Sequence, residues 1–386
     1  MKNPPNNDSK HLLPKHLAQK NIIKNIQNLT NKNLAQTNLA YQHNAQHQAT
    51  FAHKISSHCK TYLIATIATV AFALFALTVG RYEISLSDIF AILMRGSIDD
   101  EVREFVLLDF RLPRVVLALV MGAGLSMCGC AFQSLFGNPL ATPDILGVTS
   151  ASSFGAVLGL LFGLGMFGVC VFGFGFGVLS LVLVVAVSYS RLAPISSVSM
   201  ILSGIIISAL FSSLVSLVKY LADPQDTLPS ITYWLLGSLS RVWSAELLAG
   251  IIVVSVGCVV LFILRWKLNL LALSEEEARS LGVNLNLLRF VVVLFATLIV
   301  SVSVSLCGVI GWVGLLIPHI ARLLVGSENS RLLPLSAILG ALFLVLIDVI
   351  SRSLSSSEIP ISILTALLGA PFFIYILRKN KAGVKL

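Results

Sequence analysis

An all-α, polytopic membrane protein with ten transmembrane helices is the fold class predicted here, and three observations predict it. The 386-residue chain is 56% hydrophobic and 12% charged, where a soluble domain carries about 25% charged residues. From Thr61 onward, apolar runs of about 20 residues recur, each long enough as a helix to cross a hydrocarbon core ~30 Å thick. These runs lack the period-two alternation of polar and apolar residues that a membrane β-barrel needs.

Residues 1–60 precede the first apolar run. They are rich in Asn and Gln and carry eight lysines, six of the seven histidines and a single acidic residue, Asp8. Such a segment buries too little apolar surface to offset its conformational entropy, so a disordered cytoplasmic extension is expected. Its polarity argues against a cleavable signal peptide. His43, His47 and His53 belong to this low-complexity tract and are not assigned a metal.

The membrane domain, residues 61–380, follows in order. Span 1 is expected at 61–80, and the charged loop 81–111 holds a short surface helix. Span 2, at 112–136, opens with Pro113 and places Gly122, Ser126 and Cys130 on one small-residue face that lets helices approach closely. A turn at 137–144 follows, in which Asn138 and Thr142 satisfy local backbone groups. Residues 145–189 contain no charge at all. That length requires two helices, spans 3 and 4 at 144–162 and 169–189, with a hidden turn near Gly163–Gly168. The GLGMFG there fits G-x-G-x-x-G but lacks the preceding strand and following acid of a dinucleotide site.

Span 5 is expected at 198–220, an amphipathic piece at 231–239, and span 6 at 245–266. The hydrophilic loop 267–289 comes next. Spans 7 and 8 share 290–325, where Gly308, Gly311, Gly314 and Pro318 predict a broken crossing. Irregular backbone at membrane depth persists only where protein or a water-filled cavity covers it. Spans 9 and 10 fall at 332–354 and 361–377, and a cytoplasmic tail at 381–386 ends the chain.

With both termini cytoplasmic, 19 basic residues fall on inner segments and 8 on outer ones, the direction of the positive-inside bias. The net charge of +9 is therefore assigned to topology, and no nucleic-acid partner is expected. The six cysteines, Cys59, Cys128, Cys130, Cys170, Cys258 and Cys307, show neither zinc spacing nor a disulfide framework and are expected to pack as small residues.

No G-x-x-x-x-G-K-[ST] loop, H-E-x-x-H pair or nucleophile triad occurs. No catalytic residue, metal or cofactor is therefore assigned to this chain, and any ATP-Mg would be held by a partner. Two constellations remain. In the loop, Ser274 can cap a short helix with Glu277 as its capping-box partner. Glu275 and Glu276 suit its first turn and Gly282 its last. A short capped helix of this kind can serve as a docking knob. At the outer ends of spans 2 and 9 stand Arg111, Arg114 and Arg352, placed to snorkel to headgroups. Arg114 can instead turn into the bundle. Asp348, one turn before Arg352, is expected to pair with it at i, i+4; a proton relay is the alternative. His319 is expected to be a packing or turn residue.

Several motifs in order carry a resemblance: RLPR at 111–114, GNPLATPDILG at 137–147, Ala278-x-x-Leu281-Gly282, GWVGLLIPH at 311–319, and Glu358-Ile-Pro-Ile with Thr365 and Leu368-Gly-Ala-Pro-Phe372. About residues 61–380 resemble the FecCD/BtuC-like permease subunits of type II ATP-binding-cassette importers, which serve iron chelates, haem and cobalamin. The resemblance implies a homodimer in the cytoplasmic membrane, with two ABC ATPase subunits gripping Ser274, Glu275, Glu276, Ala278, Leu281 and Gly282. It further implies a soluble or lipid-anchored substrate-binding protein meeting Arg111, Arg114 and Arg352, and a cytoplasmic gate at Ser196 and Ser197. The cargo it implies is a ferric siderophore or another iron complex, with haem, cobalamin and molybdate as alternatives. From another class, an ion-gradient-driven secondary transporter would use Asp348 as its coupling carboxylate.

Overall fold

The computed structural model describes residues 58–80, 82–95, 100–188, 197–273, 275–355 and 358–381. The chain divides into two compact units, Met1–Lys60 and Thr61–Leu386. Nearly all of the first, including the expected disordered extension, lies outside the described residues, as does the tail at 382–386.

Among the described residues the protein is built from helices. Helix α1 is His58–Thr78; α2 is Leu86–Arg95 and α3 is Glu101–Phe105. Asp100 starts α3 by accepting the amides of Val102 and Arg103 at 3.1 and 3.2 Å, satisfying two orphan donors of the first turn. The chain then stays helical through Val106–Arg111 into α4, Leu112–Leu135.

Helix α4 matches the expected span 2, and the helix also continues upstream of it, beginning eleven residues before Leu112 and running Glu101–Leu135. Proline inside a helix removes a hydrogen bond and pushes on the carbonyl four residues back. Here the turns before Pro113 widen to the π register, the Leu112 amide reaching back to the Leu107 carbonyl. The Leu108 carbonyl, which a residue at 113 would bond in that register, instead accepts the indole N–H of Trp243 at 2.9 Å. The proline thus sits inside a continuous helix at a local widening.

Helices α5, Val148–Leu161, and α6, Gly165–Ser188, form a hairpin whose turn carries Gly163 and Gly165, both at φ +62°. The hidden turn lies where it was expected. Then follow α7, Ser197–Leu221, α8, Thr227–Leu235, and α9, Ala245–Leu264. Helix α8 begins four residues before the expected amphipathic piece. After the short α10, Glu275–Ser280, come α11, Leu285–Cys307, α12, Val313–Val325, α13, Asn329–Ser353, and α14, Ile361–Lys381.

Among the described residues, seven helices are long and apolar enough to cross a membrane: α1, the α3–α4 run, α6, α7, α9, α11 and α13. The other three expected spans are shorter apolar helices, Val148–Leu161, Val313–Val325 and Ile361–Tyr375. At 1.5 Å per residue, 14 residues of α5 reach about 21 Å, short of a ~30 Å core. Among the described residues, the ten expected spans are thus seven helices of membrane-crossing length and three shorter apolar helices in the remaining positions.

The break between α11 and α12 falls at Gly308–Trp312, with Gly308 at φ +71° and Trp312 at +68°. The carbonyls left open there find protein donors. Cys307 accepts the Ser238 amide at 2.8 Å, and Leu306 accepts Arg241 Nε at 2.8 Å. The irregular crossing survives because neighbouring segments satisfy it.

Helices α4 and α11 form the centre, 78% and 72% buried over their most apolar stretches, whereas α1 is only 17% buried and α7 and α9 28%. Helix α4 packs on α13 through the small face read from the sequence. A Cβ on Gly122 would lie 2.2 Å from the Gly340 carbonyl oxygen, and Cys130 Sγ lies 3.0 Å from Ser336 Oγ. Gly129 faces α12 just as closely: a Cβ there would stand 1.9 Å from the Gly314 oxygen. Backbone cannot yield as a side chain can, so Gly129→Leu should overpack this contact by roughly 1–3 kcal/mol or more. The expected outcome is a loss of monodisperse protein on size-exclusion chromatography in detergent, with Gly175→Leu, at an open position with ordinary backbone, as the tolerated control.

Candidate functional sites at the two ends of the bundle

The three arginines expected to act together do lie together, but not as free surface cations. Arg111 is 5% exposed and donates to the carbonyls of Leu77 and Thr78, at 2.6 and 3.0 Å, and of Tyr82. Arg352 donates to Val79 at 2.8 Å and to Ala76. Both guanidiniums therefore close the C-terminal end of α1, where the last carbonyls have no helical partner and carry the negative end of the dipole. Arg111 and Arg114 stand at the start of α4, where the helix continues without a break from the preceding π turns.

Arg114 turns into the bundle. Its Nε lies 2.5 Å from Asp348 Oδ1 and its Nη1 2.7 Å from Glu358 Oε1. Asp348 is fully buried, and its other oxygen lies 3.4 Å from Arg352 Nε. The i, i+4 pair with Arg352 is present, and Arg114 is a second, closer partner that sequence spacing could not reveal. A cleft of about 540 Å³ opens beside the cluster, lined by Tyr82, Tyr233, Glu358 and the three arginines. Three guanidiniums against two carboxylates give the cluster a formal charge of +1, partly offset by the α1 carbonyls that Arg111 and Arg352 hold, and this sign favours an anionic visitor.

Asp88 braces the loop between α1 and α3. It accepts the Ser85 amide at 3.2 Å, its own amide bonds Ser85 Oγ, and it pairs with Arg103 at 3.0 Å. The Ser85 hydroxyl and amide, then Arg103, hold its carboxyl below the usual carboxylate range.

The loop expected to meet an ATPase contains α10. Gly282, at φ +74°, ends it, and the Val283 amide bonds back to the Ala278 carbonyl at 3.2 Å. That is the six-to-one bond of a glycine C-cap. Leu281 stands 60% exposed beside it, and the space around Gly282 is open. Ala278, by contrast, is fully buried in this chain. A six-residue helix is too short to hold itself in water and must lie on something, and the Ala278 face is what it lies on. The expected contact of Ala278 with a partner's groove is corrected accordingly: the surface the knob offers is Leu281 and Gly282. Ser274, its expected cap, and the side chains of Glu275 and Glu276 lie outside the described residues.

Of the expected gate, Ser196 lies outside the described residues; Ser197 begins α7, with its side chain not described. Asn138 does satisfy a local group, accepting the Leu140 amide at 2.9 Å, whereas Thr142 makes no side-chain cap bond. His319 packs edge-to-face on Phe373 with ring centroids 6.2 Å apart, and neither ring nitrogen has a hydrogen-bond partner. The six cysteines are all free.

A chain whose broken crossing, arginine cluster and glycine-capped loop helix are built from the recurring motifs can be compared directly with known proteins. Residues 68–379 match the model of the FecCD transport family. The chain belongs to that family. It is similar to the molybdate import system permease protein MolB of Haemophilus influenzae, 42% identical over 325 residues that cover 82% of this chain and 95% of that one. A probable iron chelatin transport system permease protein of Helicobacter pylori is 37% identical over 330 residues, covering 83% and 99%. Among solved structures, one described as an inward-facing conformation of a putative metal-chelate type ABC transporter superposes with a TM-score of 0.76. It is 41% identical and covers 83% of this chain and 99% of its own. This FecCD protein is thus a multi-pass permease subunit of an ABC importer.

Proposed function

We propose that two copies of this FecCD permease form the conduit of an importer in the cytoplasmic membrane, with both termini cytoplasmic. Two separate ABC ATPase subunits grip the α10 knob, and they hold the ATP-Mg. A substrate-binding protein delivers cargo at the arginine end. The observation that carries this reading is the pair of built contact sites at opposite ends of one helix. Asn329, at the start of α13, is tied to the loop leading to α10, and Arg352 lies 23 residues further along the same helix, about 35 Å away at 1.5 Å per residue.

The cargo is an anionic metal species, and an iron complex is the first candidate. The excess positive charge of the outer cleft and the similarity to an iron chelatin permease support it. Molybdate is the second, favoured by the 42% identity with a molybdate permease. A secondary transporter would need Asp348 free to load and unload a proton. Its position between two guanidiniums marks it as a paired structural carboxylate.

The test is uptake into proteoliposomes holding the permease and its ATPase subunit, supplied with the binding protein. Radiolabelled ferric siderophore, molybdate, haem and cobalamin are offered in turn. ATP-dependent uptake of the ferric complex is expected. Uptake of molybdate in its place selects the second reading, and uptake of only the neutral cobalamin contradicts an anionic cargo.

A further inference from the structure

Helix α13 begins with an unusual cap. The residue at its N-cap position, Glu328, makes no side-chain cap bond. Instead Asn269, sixty positions earlier in the loop leading to α10, accepts the Asn329 amide on its Oδ1 at 2.8 Å. The Asn329 side chain in turn accepts Ser134 Oγ, at the end of α4, at 2.9 Å. A coupling-loop side chain therefore supplies the cap that α13 lacks, at the point where α13 meets α4.

From there the connection is continuous. Helices α4 and α13 touch through Cys130 and Ser336, then through Gly122 and Gly340, where no side chain separates the backbones. They end at the pairs joining Arg114 and Arg352 to Asp348. Helix α13 also carries α1, which has little packing of its own. Tyr62 donates to the Arg331 carbonyl at 2.5 Å, Thr69 to Ile338 at 3.3 Å, and Arg352 to the last carbonyls of α1. Gly80 and Tyr82, just beyond α1, line the outer cleft.

We infer that Asn269 is a positioning residue for energy coupling: its side chain locks the coupling loop to α13, so that α4, α13 and the outer end of α1 move with that loop as one body. This rests on the importer reading above. A force that reaches the Asn269–Asn329 contact then runs about 35 Å along α13 to its Arg352 end through packed backbone. Coupling requires that the element at the far end respond to the partner's state, and α13 is the element long enough to do so.

The experiment uses the permease–ATPase complex in nanodiscs, with nitroxide labels placed separately at Ser280, an exposed position on α10 outside the docking residues, and at Leu354. Leu354 is 67% exposed and directly follows α13. In the wild type the Ser280 label is immobilised by the ATPase subunit, and the Leu354 label changes mobility on adding ATP with vanadate. With Asn269→Ala, the first turn of α13 exchanges its amides about fivefold faster, the loss of one helix cap, and the Leu354 response disappears while Ser280 stays immobilised. Asn269→Asp keeps the acceptor oxygen and restores both. A full Leu354 response in Asn269→Ala overturns the inference, as does a wild type whose Leu354 is silent while Ser280 is immobilised. A Ser280 label that stays mobile in the wild-type complex sinks the importer reading itself, and this inference with it.

Discussion

Replacing Asp348 with alanine should destabilise the permease by about 3–5 kcal/mol, the cost of removing one partner from a buried ion pair. The carboxylate is fully buried, with Arg114 at 2.5 Å and Arg352 at 3.4 Å. Without it two guanidiniums share a dry site, and only Glu358, 2.7 Å from Arg114, remains to balance them. Arg352 would also lose the anchor that holds it toward the α1 carbonyls. The measurement is the thermal midpoint of the detergent-solubilised protein, followed by loss of the monodisperse peak. Asp348→Leu with Arg114→Met should be milder than the two single losses added together, since residues in one network couple by about 0.5–3 kcal/mol. A midpoint for Asp348→Ala indistinguishable from wild type would show that the cluster does not hold the fold.

Gly282→Trp should abolish ATP-driven uptake while leaving the fold intact. Nothing in the chain lies within 4 Å of a Cβ built at this glycine, so the indole meets no internal neighbour. The φ of +74° adds a backbone penalty of about 1–2 kcal/mol for most L-residues. Gly282→Asn separates the two effects, because asparagine tolerates the left-handed region and is small. It should retain most of the activity. Leu281→Arg, at the exposed neighbour, should weaken ATPase-subunit binding by roughly 30-fold, as expected for the loss of an apolar anchor worth about 2 kcal/mol. Binding measured by co-elution and uptake measured in the same vesicles should fall together. Normal coupled uptake by Gly282→Trp would remove the knob from the mechanism.

Much of this was legible in the sequence, for definable reasons. Apolar length located the helices, glycine clusters located the α5–α6 turn and the broken crossing, and i, i+4 spacing found the small face of α4 and the pair of Asp348 with Arg352. These signals are local. The helical continuation before span 2 was not legible because Pro113 looks like a helix N-terminus, and a widened turn with Trp243 on the freed Leu108 carbonyl lets the helix pass through it.

The other misjudgements concern which way a side chain faces. Arg111 and Arg352 stand where an arginine would reach outward, yet both turn to the α1 carbonyls, because a helix end offers four unsatisfied acceptors close by. Ala278 belongs to a motif associated with docking, but a one-and-a-half-turn helix must bury something, and the alanine is its smallest side. The Arg114–Asp348 contact joins residues 234 apart, and the Asn269 cap of α13 spans 60. No periodicity carries information over such distances.

The most direct test of a separate, docked energy source is ATP-driven uptake in vesicles containing the purified permease with and without its ATPase subunit. Cargo should accumulate only when both are present, and should stop with Leu281→Arg. Accumulation by the permease alone, driven by a proton or sodium gradient, would contradict it.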